Sequence, residues 1–414
     1  MGSWPASVRL LFALRVVRMF AYGLLGVVLV LYLAARGFDP ARLGLLLSLT
    51  LLGDAALSLW LSTRADRWGR RRTLLAGAAL MALGGAAMAA TGDFALLVVA
   101  ATIGVISPTG NEVGPFLSVE QAGLAQLVPA AERTRLFAWY HLVGYLATAF
   151  GALCAGAGLQ GLQAAGWSGL ARYSAVLWAY AGLGLVLGAM AAGLDEAVEA
   201  PAAARVAEAG AWLGLKESRS TVARLSALFA LDAFAGGFIV QSSLAYWFLQ
   251  RFGMGEAALG RVFFGANVLS GLSALAAVPL ARRIGLVNTM VATHLPSNIL
   301  LLLVPLMPDF RWAAGVLWLR HLVSQMDVPA RQSYVNAIVP AAERSAANGV
   351  TGVARQLGTA VAPLCAGLMP AAALLAGGPF FVAGGLKIVY DLALWRAFRA
   401  KPAAEEILVP PPPR

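Results

Sequence analysis

Long apolar runs separated by short polar breaks set the pattern of this chain. A helix needs about 20 consecutive apolar residues to cross the hydrocarbon core of a bilayer. Runs of that kind fall at residues 9–35, 41–63, 73–92, 94–119, 135–160, 171–194, 223–250, 257–280, 286–307, 311–331, 346–370 and 376–398. The pattern predicts an all-α integral membrane protein of twelve transmembrane helices. The breaks carry turn chemistry, as in Gly37-Phe38-Asp39-Pro40, Thr91-Gly92-Asp93 and Met307-Pro308-Asp309. Gly and Ala recur along the runs, and in lipid such small residues let helices approach closely. The first run opens near Arg9 and reads as the first helix, with no cleaved leader before it. The stretch 195–222 is different: it is Ala-rich and holds Asp195, Glu196, Glu199, Pro201, Glu208, Lys216, Glu217 and Arg219. It reads as a cytoplasmic linker between an N-terminal half (1–194) and a C-terminal half (223–398), and 399–414 reads as an unstructured cytoplasmic tail ending in four prolines.

Composition agrees. The 414 residues are 60% hydrophobic and 12% charged, where a soluble domain is about a quarter charged. A net charge of +11 would suggest nucleic acid in a soluble protein; here it reads as basic residues on cytoplasmic loops. With the N-terminus inside, 20 of the 31 Lys and Arg fall on cytoplasmic segments and 6 on outer loops and helix mouths, so both termini are expected inside. Cys154 and Cys365 lie in apolar runs, which predicts neither a disulfide framework nor a metal site.

The chain also repeats itself. Residues 129–156 read PAAERTRLFAWYHLVGYLATAFGALCAG and residues 340–367 read PAAERSAANGVTGVARQLGTAVAPLCAG, identical at 12 of 28 positions. This sets the fifth span opposite the eleventh and predicts two six-helix halves of one architecture. Parallel halves of this kind belong to transporters whose substrate site lies near the bilayer midplane, at the interface of the repeats.

Between the second and third runs lies Ser62-Thr63-Arg64-Ala65-Asp66-Arg67-Trp68-Gly69-Arg70-Arg71-Arg72, which reads D-R-x-G-R-R. With the P-x-x-E-R loops after the fourth and tenth spans, the linker and the twelve runs, it resembles the major facilitator superfamily over essentially the whole chain. The counterpart loop Ala281-Arg282-Arg283-Ile284-Gly285 keeps the basic pair and the glycine but lacks the acid, and Ser62 stands where the family usually has a leading glycine. The resemblance implies a cytoplasmic gate in which Asp66, Arg67, Gly69, Arg70 and Arg71 help hold the outward-open state. Gly69 permits a tight turn, and Asp66 can pair with a base or cap a helix.

Ionisable residues inside membrane spans are costly and are functional candidates by default. Ten occur: Arg15, Arg18, Asp54, Glu112, Asp232, Arg320, Asp327, Arg355, Lys387 and Asp391. The resemblance implies that the first, fourth, seventh and tenth spans line the central cavity, and each carries a charge. Arg15, Arg18, Glu112, Asp232 and Arg320 are therefore the candidates for the substrate path and proton coupling, with Asp232 and Glu112 as proton carriers. Asp54 and Asp327 lie toward the inner face and join the gate. Lys387 and Asp391, four apart on one helix face, are expected to pair with each other. His141 and His294 lack ligand spacing and read as packed core histidines.

Gly156-Ala157-Gly158-Leu159-Gln160-Gly161 fits G-x-G-x-x-G, but no strand precedes it, so no dinucleotide is expected. Walker, H-E-x-x-H and G-x-S-x-G patterns are absent, so the chain reads as a non-enzyme without cofactor or metal. The expected activity is secondary active transport of a small organic molecule, led by proton-coupled export. A proton-coupled importer or facilitator of an anionic metabolite is the alternative, and a transporter-like receptor is the alternative from another class. Drug antiporters of the family often carry a Gly-Pro pair in the fifth span; here Pro363 sits in the eleventh instead. Compact loops suggest a prokaryotic inner membrane. The family resemblance implies a monomer, whose partners are substrate, protons and lipid, with no nucleic acid.

Overall fold

The computed structural model describes residues 4–112, 114–167, 169–199, 215, 217–340 and 343–400. Most of the expected linker, with Arg205 and Lys216, and nearly all of the tail, with Lys401 and Arg414, lie outside the described residues. Among the described residues every regular element is helical and none is a strand. In chain order they are α1 (Ala6–Ala35), α2 (Pro40–Trp68), α3 (Arg70–Ala90), α4 (Phe94–Ile103), α5 (Phe116–Leu127), α6 (Ala130–Ala164), α7 (Leu170–Ala192) and α8 (Arg219–Gly237). Then follow α9 (Gln241–Phe252), α10 (Glu256–Ile284), α11 (Leu286–Leu303), α12 (Phe310–Ser324), α13 (Asp327–Ile338), α14 (Arg344–Gly367), α15 (Ala371–Leu375) and α16 (Gly378–Phe398).

Eight helical stretches among these residues are long and apolar enough to cross a membrane. Four further expected spans correspond to α4 with α5, α12 with α13, α14, and α16, so the element order accommodates twelve. Leu83, Leu185, Trp312 and Leu368 are each 64–69% exposed, which suits lipid rather than water. The polar breaks act as helix starts. Asp39, Asp93 and Asp309 cap α2, α4 and α12, their carboxylates accepting from backbone N–H groups of the first turn.

Three expected spans are not continuous. The fourth is interrupted by an irregular segment, 104–115, where Gly110 and Gly114 take positive φ and Pro108 and Pro115 lack an N–H to donate. The seventh breaks after Gly236-Gly237, between α8 and α9, and the tenth at Gln325-Met326, between α12 and α13. Hydropathy averaged over a span carries through such breaks, because the apolar residues on either side outweigh polar ones such as Ser107, Thr109, Asn111, Glu112 and Gln325. Irregular backbone at membrane depth is tolerated only where protein or a water-filled cavity satisfies it.

By packing, the chain divides into two compact units, Met1–Glu208 with Val240–Phe264, and Ala209–Ile239 with Gly265–Arg414. In the first, α1 packs on α6 and α7, and α3 on α7; in the second, α8 packs on α14 and α16, and α11 on α16. The pairs α1–α6 and α8–α14 are the ones the sequence repeat relates. Both depend on glycine: a Cβ at Gly23 would fall 2.1 Å from the Thr148 carbonyl oxygen, and one at Gly358 would fall 2.4 Å from that of Ala230.

Candidate functional site

The first unit holds a buried charge cluster on α1. Arg15 and Arg18 sit three apart, on one face, at 4% and 0% exposure. Arg15 Nη1 donates to Glu112 Oε2 at 2.6 Å, and Arg18 Nε donates to Glu112 Oε1 at 2.8 Å. Glu112 comes from the irregular segment, so the break in the fourth span is what delivers its carboxylate. Arg18 also forks onto both oxygens of Glu120 of α5, whose Oε2 accepts in addition from the Tyr140 hydroxyl of α6. The Arg15 guanidinium lies 4.1 Å from the Tyr140 ring centroid, a cation–π contact. Gly144 makes room for it: a Cβ there would meet Arg15 Nε at 2.6 Å. Asp54 is held by neutral groups, Gly114 N–H at 2.5 Å and the Ser58 hydroxyl at 3.2 Å.

The second unit holds a larger cluster around Asp232, which is 3% exposed on α8. Lys387 Nζ of α16 donates to its Oδ1 at 2.5 Å, and Arg355 Nη1 of α14 to its Oδ2 at 3.0 Å. Arg331 of α13 stands 3.7 Å from Asp232 and pairs with Asp327 at 2.7 Å, so it bridges the two acids. Lys387 and Asp391 do not pair with each other. The two sit on one face of α16, but Lys387 meets Asp232 on α8 whereas Asp391 bonds His294 Nδ1 and Asn298 Nδ2 on α11, each at 2.8 Å. His294 is therefore more than core filling: its Nε2 lies 3.7 Å from Asp232, and the ring links two buried carboxylates. His141 makes a long contact, 3.4 Å, with Gln121 and meets the Tyr140 ring edge-on.

The D-R-x-G-R-R loop forms the junction of α2 and α3. Gly69 takes φ +105°, where a side chain would be strained, and donates to the Ala65 carbonyl at 2.9 Å. The Glu199 carboxylate accepts from Arg70 N–H at 2.7 Å and Arg71 N–H at 3.2 Å, satisfying orphan donors at the start of α3. Arg70 pairs with Asp66 at 2.8 Å and reaches Gln126 and the Val198 carbonyl. Arg67 and Arg71 are exposed. The loop thus clamps the end of α5 and the segment after α7. In the second unit, Glu343 accepts from the N–H groups of Glu217 and Ser218 at the start of α8, at 2.8 and 3.1 Å. Its repeat counterpart Glu132 is exposed, so one motif serves two ends.

Residues 11–324 match the Major Facilitator Superfamily. The chain belongs to the major facilitator superfamily. It is also 30% identical to an uncharacterized membrane protein of Saccharomyces cerevisiae, across 94% of this chain and 93% of the yeast protein. The crystal structure of nucleoside transporter NupG superposes with a TM-score of 0.72 at 15% identity, covering 95% of this chain and all of that one. A D-xylose-proton symporter gives 0.73 at 15% identity, covering 98% and 99%.

This superfamily member is thus a multi-pass membrane transporter with the expected fold. All five path candidates are buried or nearly so, but they gather as Arg15, Arg18 and Glu112 in one unit and Asp232 and Arg320 in the other. Asp54 lies beside the Glu112 segment, and Asp327 beside Asp232. Sequence reasoning passed over Glu120, Glu199, His294 and Arg331. A carboxylate in a short amphipathic run or a lone histidine has no local mark; the ten ionisable span residues were the available signal, and their partners come from distant helices. The chain is similar to a yeast protein along 93% of that protein's length, so compact loops carry no host assignment.

Proposed function

We propose that the protein moves a small organic molecule across its membrane by alternating access, coupled to protons, with both termini on the cytoplasmic side and the loop around Gly69 as part of the inner gate. The supporting observation is the chain Asp391–His294–Asp232, an imidazole between two buried carboxylates, the second of which also holds Lys387 and Arg355. Such a ring can pass a proton between the acids. A proton on Asp232 would release Lys387 and Arg355, and released cations favour an anion. Proton and anionic solute then load together, by reciprocal linkage. This favours co-transport of an anionic metabolite over the export first expected from the sequence.

The test uses proteoliposomes containing a pH-sensitive dye, under an imposed pH gradient. Nucleosides, pentoses and their phosphates, together with small carboxylates, form the panel, since structural relatives include a nucleoside transporter and a xylose-proton symporter. Solute-triggered proton movement, lost in Asp232→Asn and His294→Gln, is the expected result. Protons moving with the solute indicate co-transport, and counter-movement indicates export by exchange. Solute flux without proton movement would remove the coupling, and binding without any flux would favour a receptor.

A further inference from the structure

Among the described residues, Arg320 is the one fixed cation of the Asp232 cluster with no carboxylate at salt-bridge distance. It lies one turn before the break between α12 and α13 and is 8% exposed. Among the described residues, its Nε has no hydrogen-bond partner, and its Nη1 meets only His321 Nε2, at 3.5 Å. The nearby carboxylates are committed: Asp232 to Lys387 and Arg355, Asp327 to Arg331, Asp391 to His294 and Asn298. Four fixed cations, Lys387, Arg320, Arg331 and Arg355, thus face three carboxylates. Desolvating a guanidinium costs several kcal/mol and is normally offset by a paired anion. Asp232 and Asp327 attract Arg320 only from beyond ion-pair distance, and its immediate polar neighbours are a histidine ring and serine hydroxyls. Ser270 of α10 bonds His321 Nδ1 at 2.9 Å, and Ser273, one turn along, accepts from the Gln325 N–H at 3.2 Å.

We propose that Arg320 anchors an oxyanion, a carboxylate or phosphate carried by the solute, with His321 beside it. The proposal rests on the transport reading above and names its solute class. A planar guanidinium with free N–H groups binds such an anion through two parallel hydrogen bonds. The break at Gln325-Met326 ends the helix little more than one turn beyond the arginine. A bound oxyanion balances the cluster's charge, which the protein's own side chains leave positive.

Thermal unfolding of the purified full chain, followed by tryptophan fluorescence, provides the test. The probes are matched pairs: lactate with lactamide, ribose 5-phosphate with ribose, and uridine monophosphate with uridine, plus inorganic phosphate. The expected result is a midpoint raised by a few degrees by at least one anion and not by its neutral partner. That shift disappears in Arg320→Gln and shrinks in Arg320→Lys, which keeps the charge but not the fork. The lactate and phosphate arms separate carboxylate from phosphate recognition. If no anion shifts the wild type beyond its neutral partner, or if the shift survives in Arg320→Gln, the assignment is overturned. Should Arg320→Gln fail to fold, Arg320→Lys decides: an undiminished shift overturns the proposal. Anion-specific stabilisation without any solute flux would leave the site standing and remove the transport reading, while flux without stabilisation would do the reverse.

Discussion

Removing the Asp232 carboxylate leaves the buried Lys387 and the half-buried Arg355 without their acid. Breaking a buried pair by deleting one partner costs about 3–5 kcal/mol. Asp232→Asn is therefore expected to lower the unfolding midpoint, and Lys387→Gln in the same chain to restore part of it. Chemical denaturation of the single and double variants measures that coupling. Gly144 offers a sharper test of the other cluster. A Cβ there meets Arg15 Nε at 2.6 Å, whereas one at Gly158 meets nothing within 4 Å. Gly144→Ala should displace Arg15 from Glu112, cost about 1–3 kcal/mol as overpacking does, and cut solute flux, while Gly158→Ala leaves flux unchanged. The charged residues themselves were legible, since an ion in an apolar run stands out. Their partners were not. Spacing on one helix pointed Lys387 at Asp391, and helices distant in sequence captured both.

A helix end needs its first N–H groups satisfied, and α3 obtains two of its acceptors from Glu199, more than a hundred residues away. Glu199→Gln keeps an acceptor but loses the charge facing the helix N-terminus, a change of about 0.3–1 kcal/mol. The expected outcome is faster amide hydrogen exchange over the first turn of α3, with exchange in α7 unaltered. Glu199→Ala, lacking any acceptor there, should exchange faster still. Gly69→Ala combines strain at φ +105° with a Cβ 3.3 Å from Glu199 Oε1, and should exceed both. At this scale the long helices and the turns between them were readable, because hydropathy and turn chemistry act locally. The breaks in the fourth, seventh and tenth spans escaped the same reading. Glycine and proline within an apolar run are compatible with a continuous helix in lipid, and only the tertiary packing decides whether the freed backbone groups find partners.

For the whole molecule, orientation is the property most open to a direct check. The arginine-rich loop is expected inside and the Asp39 turn outside. With Cys154 and Cys365 replaced by alanine, a cysteine at Arg67 should react with an impermeant maleimide only from the cytoplasmic side, and one at Asp39 only from the opposite side. The reverse labelling would invert the topology. Two spans' worth of repeat, twelve apolar runs and one signature loop were enough to place the chain in its superfamily, because a bilayer leaves few ways to satisfy a backbone and those ways are written as length and hydropathy. Sequence by itself thus determined the membrane class, the helical fold, most helix starts and most of the buried charges. Tertiary structure alone decided which charges meet: Glu112 reaching two arginines from an unwound segment, His294 joining Asp391 to Asp232, and Arg320 left, among the described residues, without a salt bridge. The physical reason is range. Burial and capping are settled within a few residues along the chain, whereas a buried ion is satisfied by whichever helix packing brings beside it.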